Sequence, residues 1–491
     1  MCCRPASMIP MAKDAIWVKP AGILLLVAAS MLAGQLQTKP RLRAGAAKVD
    51  ITPHPSQLTI STDSIRDHLY VRAIVVDDGA TCAALVSVDG GARNSVVEAA
   101  ISRSSASVDC PPENYIISGT HSHSASTGGI GNPGAPSEET LTSAIVSAVN
   151  EAKAKLQPVR IGFGRAQLDL NVNRDNYNSR FEWRQEPNPE GTSDKTLTVV
   201  EFVGDDDVPV GVYMNYAMHP INFYLSGVIS ADFPGEASKY IEELFDNKTV
   251  ALFSQGASGD QNPRLAFSPS FFLRSRPYLM EGRRPVPQTV GPQAPPPENS
   301  SQQGFNAAAA ASSRRAIPAE NLEAYRKTLA RTGEYVVLLG HSLAMTAVRL
   351  MREEIRPVEY APIWGGQESF SCPGRERLDA ANPARENVFP GYKDGPDVNI
   401  KVGLLRLGDI NFVWVNGEVY SKIALKLKEA APANQTLMVT LANGSANSGY
   451  IYSDDAYSHL TFQVIGSRLK PGCAEDKIIS TAVGLMHKSL K

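Results

Sequence analysis

Three histidines and one glutamate stand out as groups that could hold a metal ion. His121 and His123 lie in Ser118-Gly119-Thr120-His121-Ser122-His123-Ser124. The apolar run Tyr115-Ile116-Ile117 before them reads as a strand. Gly128, Gly129, Gly131 and Gly134 after them read as a loop. Residues two apart on a strand share a face. Both imidazoles could therefore serve one ion, or one could bind the ion while the other meets substrate. The alternative is a pair of ordinary polar loop side chains. Only eight histidines occur in the chain, however, and a second strand-end histidine follows downstream.

That second site is Tyr216-Ala217-Met218-His219-Pro220, where the proline turns the chain at the end of a strand. A third apolar strand, Phe412-Val413-Trp414-Val415, runs through Asn416-Gly417 into Glu418. In a layered α/β protein, strand ends of one edge collect in one cleft. His121, His219 and Glu418 could meet there as a His-His-Glu zinc site. A carboxylate before a helix can also serve the helix dipole alone.

Two serines invite a nucleophile reading. Gly340-His341-Ser342-Leu343-Ala344 resembles a nucleophile elbow without its last glycine. It lies inside a helical stripe rather than at a strand-to-helix turn, which makes Ser342 and His341 structural. The stretch Gln255-Gly256-Ala257-Ser258-Gly259-Asp260-Gln261-Asn262-Pro263-Arg264 follows the strand Val250–Ser254. Its small residues let backbone approach a ligand, so it is a candidate catalytic loop.

The elements that must position these groups alternate. Strands are expected at 44–53, 69–76, 83–88, 159–163, 197–203, 208–216 and 250–254, with a hairpin at 402–415 and a strand at 437–441. Helices are expected at 137–156, 235–247, 333–354 and 420–430. For the first, Ser137 is a cap, Glu138 and Glu139 suit the first turn, and Leu141, Ile145, Ala148, Ala152 and Leu156 form a stripe. Alternation of this kind predicts an α/β fold with a layered mixed sheet and helices.

Length allows about two to three domains, or one large one. Net charge is −2, so there is no electrostatic case for nucleic acid or an anionic membrane surface. Lys13 and Lys19 precede an apolar core around Ala21–Ala29, followed by Ala33 and Gly34. Such a segment is too short to span a bilayer and reads as a signal peptide over residues 1–34, hence a secreted or periplasmic protein. An uncleaved membrane anchor is the other reading. Cys82, Cys110, Cys372 and Cys473 remain, with three pairings open. Residues 268–318 are rich in proline and alanine and read as a mobile surface insertion.

Taken together, the motifs Asp50-Ile-Thr-Pro53, Thr120-His-Ser-His123, Asn171-Val-Asn-Arg174, Ala217-Met-His219, Gly259-Asp260, Gly417-Glu418 and Ser448-Gly-Tyr450 follow an order that resembles the neutral/alkaline non-lysosomal ceramidase family. The resemblance implies one large ceramidase-like zinc hydrolase domain over residues 44–490. By it, the zinc ligands would be His121, His219, Glu418 and Tyr450, with Tyr452 and Tyr457 close to the last. His123 and Arg174 would hold substrate or oxyanion, and Gly259 and Asp260 would line the substrate. The implied activity is hydrolysis of a linear amide, ceramide or another N-acyl compound, by zinc-activated water, with a lipid substrate reached at a membrane surface. One departure bears on mechanism: the family's Gly-Asp-x-Ser-Pro loop reads Gly259-Asp260-Gln261-Asn262-Pro263, so Asn262 replaces a serine proposed to act in catalysis. The chain is also expected to end with the catalytic domain, without the further β-sandwich of characterised ceramidases. Asn262 is then a helper that donates to an oxyanion or holds a water. The competing readings are a zinc-containing binding protein without turnover, and a serine esterase.

Overall fold

The computed structural model describes residues 40–58, 61–125, 135–224, 226–265, 319–382 and 384–491. The segment expected to be a signal peptide at 1–34 and the insertion expected at 268–318 lie outside the described residues. Pro40–Lys491 forms one compact unit.

Two four-stranded sheet halves meet at one short seam. The first holds β1 (Arg43–Asp50), β2 (Tyr70–Asp77), β3 (Cys82–Val88) and β4 (Tyr115–Gly119). The second holds β5 (Gln157–Gln167), β6 (Thr196–Gly204), β7 (Pro209–Tyr216) and β8 (Val250–Gln255). The order is β8-β7-β6-β5-β1-β2-β3-β4. Only Arg43 and Ala44 of β1 pair with β5, through Pro158 and Gln157. The halves therefore fold back on each other, and Ser87 Oγ of β3 donates to Phe253 O of β8 at 2.6 Å. A third sheet runs β9 (Ile363–Arg377), β10 (Tyr392–Leu407), β11 (Ile410–Val415), β12 (Thr436–Val439).

One interior serves all three sheets. Ile74, Val76, Leu85 and Ile116 meet Val200, Phe202, Tyr213 and Leu252, and Leu405, Phe412, Trp414 and Leu437 close the cluster. Alternate residues of the same strands face outward into helices, as the strand period of two requires. Val71, Ala73 and Val75 pack on α1 (Asn94–Val108) and α2 (Glu138–Ala154). Val199, Val212 and Phe253 pack on α3 (Asp232–Leu244) and α4 (Leu322–Arg349). Val413 and Val415 pack on α5 (Ser421–Ala430) and α6 (Ala474–Lys488). Strands buried on both faces explain the near-continuous apolar runs in the sequence. This is the expected layered α/β architecture with mixed sheets: β3–β4, β7–β8 and β11–β12 are parallel, and the other pairs are antiparallel.

Ser137 caps α2 by accepting from Thr140 N at 3.1 Å. Gly340, the glycine of the elbow-like motif, sits where α3 and α4 touch: a Cβ there would lie 2.5 Å from Glu236 Cβ. Ser342 is inside α4 and donates to Leu338 O at 2.7 Å. Cys82 pairs with Cys110, and Cys372 pairs with Cys473.

Candidate metal centre

His121 does not share a strand face with His123. β4 ends at Gly119, and His121 takes the left-handed conformation, φ 65°. Its N–H donates to Gly90 O at 2.8 Å. Gly119 makes that turn possible, because a Cβ there would lie 2.6 Å from Gly90 O. The two imidazoles converge from an irregular turn, with Nε2 atoms 3.3 Å apart. His123 N donates to Pro220 O at 3.0 Å, which ties this turn to the one carrying His219.

A single amide registers both turns. Gln255 Nε2 donates to Thr120 O at 2.9 Å and to Met218 O at 3.0 Å. Thr120 precedes His121 and Met218 precedes His219, so the last residue of β8 holds the peptide before each. His219 is fully buried, and Gln261 O accepts both its N–H, at 3.1 Å, and its Nδ1, at 3.0 Å. That carbonyl makes Nδ1 the protonated nitrogen and leaves the Nε2 lone pair facing the site.

Glu418 arrives on the two-residue strand Glu418–Val419, paired in parallel with Tyr450–Ile451 so that Glu418 stands opposite Tyr450. Glu418 Oε1 lies 2.6 Å from His219 Nε2 and 3.4 Å from His121 Nε2. His121, His123 and His219 offer nitrogens within 4.8 Å of one another and could hold a metal ion. The 3.4 Å between His121 Nε2 and Glu418 Oε1 matches the edge of a tetrahedron with ligand bonds of about 2.0–2.1 Å, whereas the 2.6 Å between His219 Nε2 and Glu418 Oε1 is shorter than such an edge. His219 Nε2 and Glu418 Oε1 are close but not aligned as a hydrogen bond, and both are buried without another partner. A buried polar atom left unpaired costs about 1–3 kcal/mol, so this donor set fits an ion bound between them.

The protonation states suit that role. Burial, reinforced by the Arg174 charge, brings His219 down to about 4. Burial and the neighbouring imidazoles hold His123 well below its ordinary value. For Glu418, burial acts upward, but His121 and His219 outweigh it and hold the carboxyl well below its usual range. Tyr450 is raised, first by burial and then by Glu418, so its hydroxyl keeps its proton.

Arg174 stands on the strand Asn171–Tyr177, which pairs with Gln261–Pro263 and Trp183–Asn188. Its Nη2 donates to Gly259 O at 2.6 Å and lies 4.0 Å from Glu418 Oε1. Its Nη1 donates to Asn262 Oδ1 at 3.3 Å. The guanidinium lies over the Tyr450 ring at 5.4 Å. Asn262 Nδ2 is buried with no partner.

Two expectations are corrected here. Asp260 does not face substrate: its carboxylate takes Ser421 N at 2.8 Å, Ser421 Oγ at 3.0 Å and Asn173 Nδ2 at 2.9 Å. It clamps the start of α5, and with it the Glu418 segment, to the Arg174 strand. Gly259 presents its carbonyl to Arg174, and its backbone packs on Val419, where a Cβ would lie 2.9 Å from Val419 O. Both are positioning groups. Gln255 and Gln261, whose amides and carbonyls hold the histidines, carry no sequence signal that marks them; only their place in the loop after β8 pointed near them.

Strand-end imidazoles and a carboxylate gathered on a layered α/β frame define a candidate single-metal centre. Residues 54–270 match the model of the neutral/alkaline non-lysosomal ceramidase family, N-terminal. A neutral ceramidase from Pseudomonas aeruginosa has a similar structure, with TM-score 0.57 and 16% identity over 91% of this chain and 75% of that one. A ceramidase complexed with C2 gives TM-score 0.59 and 16% identity over 91% and 76%. Residues 54–270 are thus similar to the neutral/alkaline ceramidase family, and the fold as a whole is similar to that of the solved ceramidases. The matched stretch includes His121, His123, Arg174, His219 and Asn262; Glu418 and Tyr450 lie beyond it and are brought in by the fold.

Proposed function

We propose that this chain is a zinc-dependent hydrolase of a linear amide in an N-acyl lipid, ceramide-like in kind. The observation that supports it is the meeting of His121, His219 and Glu418, the last two with buried, unpartnered ligand atoms, beside Arg174 and Asn262. His121, His219 and Glu418 would hold the ion, with Tyr450 next to them. A bound zinc would polarise the amide carbonyl and lower the pKa of a water beside it. Arg174, fixed by Gly259 O, presents positive charge to the same space. Asn262 Nδ2 is the neutral donor for charge developing on the carbonyl oxygen. His123, at 3.3 Å from His121, is placed to accept or pass a proton at its Nε2. No side-chain nucleophile is needed, which suits asparagine in place of the family serine. Export to an oxidising compartment accompanies this reading, supported by the two disulfides. Metal analysis of purified protein, with a screen of N-acyl amides, tests it. Stoichiometric zinc with turnover of at least one such amide is expected. Tight binding of these amides with no turnover of any would instead make the chain a binding protein.

A further inference from the structure

Tyr450 reaches the metal centre on a strand of only two residues, opposite Glu418, with the Arg174 guanidinium over its ring at 5.4 Å. So short a ladder closes too few bonds to hold a side chain to the tolerance of about 0.5 Å that a site needs. The further support comes from residues 467–470, which join the short helix Phe462–Gly466 to α6. Ser467, 2% exposed, donates from Oγ to Tyr450 O at 2.7 Å, and Leu469 N donates to that Oγ at 3.3 Å. Arg468 N donates to Ser448 O at 2.8 Å, and the Tyr452 hydroxyl donates to Leu469 O at 2.7 Å. Residues 467–469 therefore grip the chain before, at and after Tyr450.

These residues are fixed in turn to β9. Arg375 N donates to Arg468 O at 2.7 Å, and Lys470 N donates to Pro373 O at 3.0 Å. The Arg375 side chain is buried, and it donates from Nε to Ser467 O at 3.1 Å and from Nη2 to Val464 O. Its guanidinium lies over the rings of Tyr392 at 4.0 Å and Tyr457 at 5.2 Å. Cys372 on β9 and Cys473 at the start of α6 close the frame with a disulfide. The other disulfide has no such place. Cys82 opens β3, which runs parallel to β4, and the His121 turn leaves that pair from its far end, past Val88 and Gly119.

We propose that Ser467 is the positioning residue for Tyr450, that Arg375 and the Cys372–Cys473 disulfide hold Ser467 in place, and that the affinity of the centre for zinc depends on this disulfide and not on Cys82–Cys110. The inference rests on the reading of the metal centre and adds the residues that place its tyrosine.

The test is the zinc affinity of the full chain, measured by competition with a chromophoric chelator. Ser467→Ala should bind zinc about tenfold more weakly. With cobalt(II) loaded in place of zinc, the visible bands follow ligand number and geometry, and they should shift in this variant. In the Tyr450→Phe background, Ser467→Ala should have no further effect. Cys372→Ser/Cys473→Ser should weaken zinc in its folded fraction as Ser467→Ala does, while Cys82→Ser/Cys110→Ser should keep the wild-type affinity. Ser467→Ala leaves both disulfides intact and decides the matter where a cysteine variant fails to fold. Unchanged affinity in Ser467→Ala overturns the inference, as does an equal loss with and without the Tyr450 hydroxyl, or an equal loss from either cysteine pair. Wild-type protein that takes up no zinc would overturn the reading of the metal centre, and this inference with it.

Discussion

Asn262→Ala should slow turnover by about 10²–10³ while changing stability by no more than about 1 kcal/mol. Among the described residues its side chain makes one hydrogen bond, from Arg174 Nη1 at 3.3 Å. Losing a bond to a charged group costs about 1.5–3 kcal/mol, although Arg174 keeps Gly259 O through Nε at 3.2 Å and Nη2 at 2.6 Å. Against this loss, the alanine removes the buried, unpartnered Nδ2, and relief of such a group returns about 1–3 kcal/mol. The two terms nearly cancel. The rate term has no such offset: a donor aimed at a developing oxyanion is worth about 2.7–4 kcal/mol. The assay is steady-state hydrolysis of a soluble N-acyl amide, corrected for folded fraction by urea unfolding and for metal content. An unchanged rate per folded molecule would refute the assignment. Ser258→Ala is the companion variant. Ser258 is fully buried and its Oγ has no partner, so alanine there should leave the rate as it is. Lost activity at normal metal content would make Ser258 the nucleophile instead.

Three further outcomes are expected. Wild-type protein should carry about one zinc per chain and His121→Ala should lose most of it, by elemental analysis; full retention would remove His121 from the ligand set. Glu201 is raised to about 7 by burial from an ordinary 4.5, so the folded chain binds more protons than the unfolded chain between those values and stability falls as pH rises through them. Glu201→Gln should flatten that slope, worth about 3 kcal/mol at alkaline pH, and urea midpoints that still track the wild-type slope would contradict the shift. Replacing Cys372 and Cys473 by serine opens a cross-link spanning 101 residues and should cost about 4–5 kcal/mol in unfolding free energy. Thermal scans with and without reductant check this, and an unaltered Tm would count against it.

The sheet interior was legible because its strands are buried on both faces. Runs such as Ala83–Val88 and Val250–Ser254 hold little but small and apolar residues, and the helix at 138–154 announces itself by Ser137 and its stripe. Other elements escaped for physical reasons. α1 carries Ser102, Ser104, Ser105 and Ser107, weak helix formers that hide its buried face of Val96, Val97 and Ala100. The outer halves of β9 and β10, Phe370–Arg377 and Tyr392–Asn399, are mostly polar and each is interrupted by a proline and a glycine, so β9 left no apolar pattern and β10 was legible only from Val402 onward. At the site, residue type pointed to His121, His219 and Glu418, but not to why they meet. The pairing of Glu418 with Tyr450 joins two strands of two residues each, too short to leave a periodic trace. Asp260 misled because a carboxylate beside a glycine reads alike whether it faces a ligand or a buried Ser421.

The ligand candidates come from segments that lie far apart along the chain, and Glu418 and Tyr450 are among the last of them to be synthesised. In a zinc finger the ligands are near neighbours and the ion can gather the chain around itself. Here the donor atoms converge only when the two halves of the first sheet have folded together and the Glu418–Tyr450 ladder has closed against them. Long loops must close before the ion gains a coordination shell. On the proposed zinc reading, metal loading would therefore be a late event in the life of the chain, because a nascent protein still missing its last hundred residues lacks Glu418 and Tyr450. Occupancy in a preparation would then count completed molecules, and a chelator added during refolding should leave the rate of sheet assembly untouched.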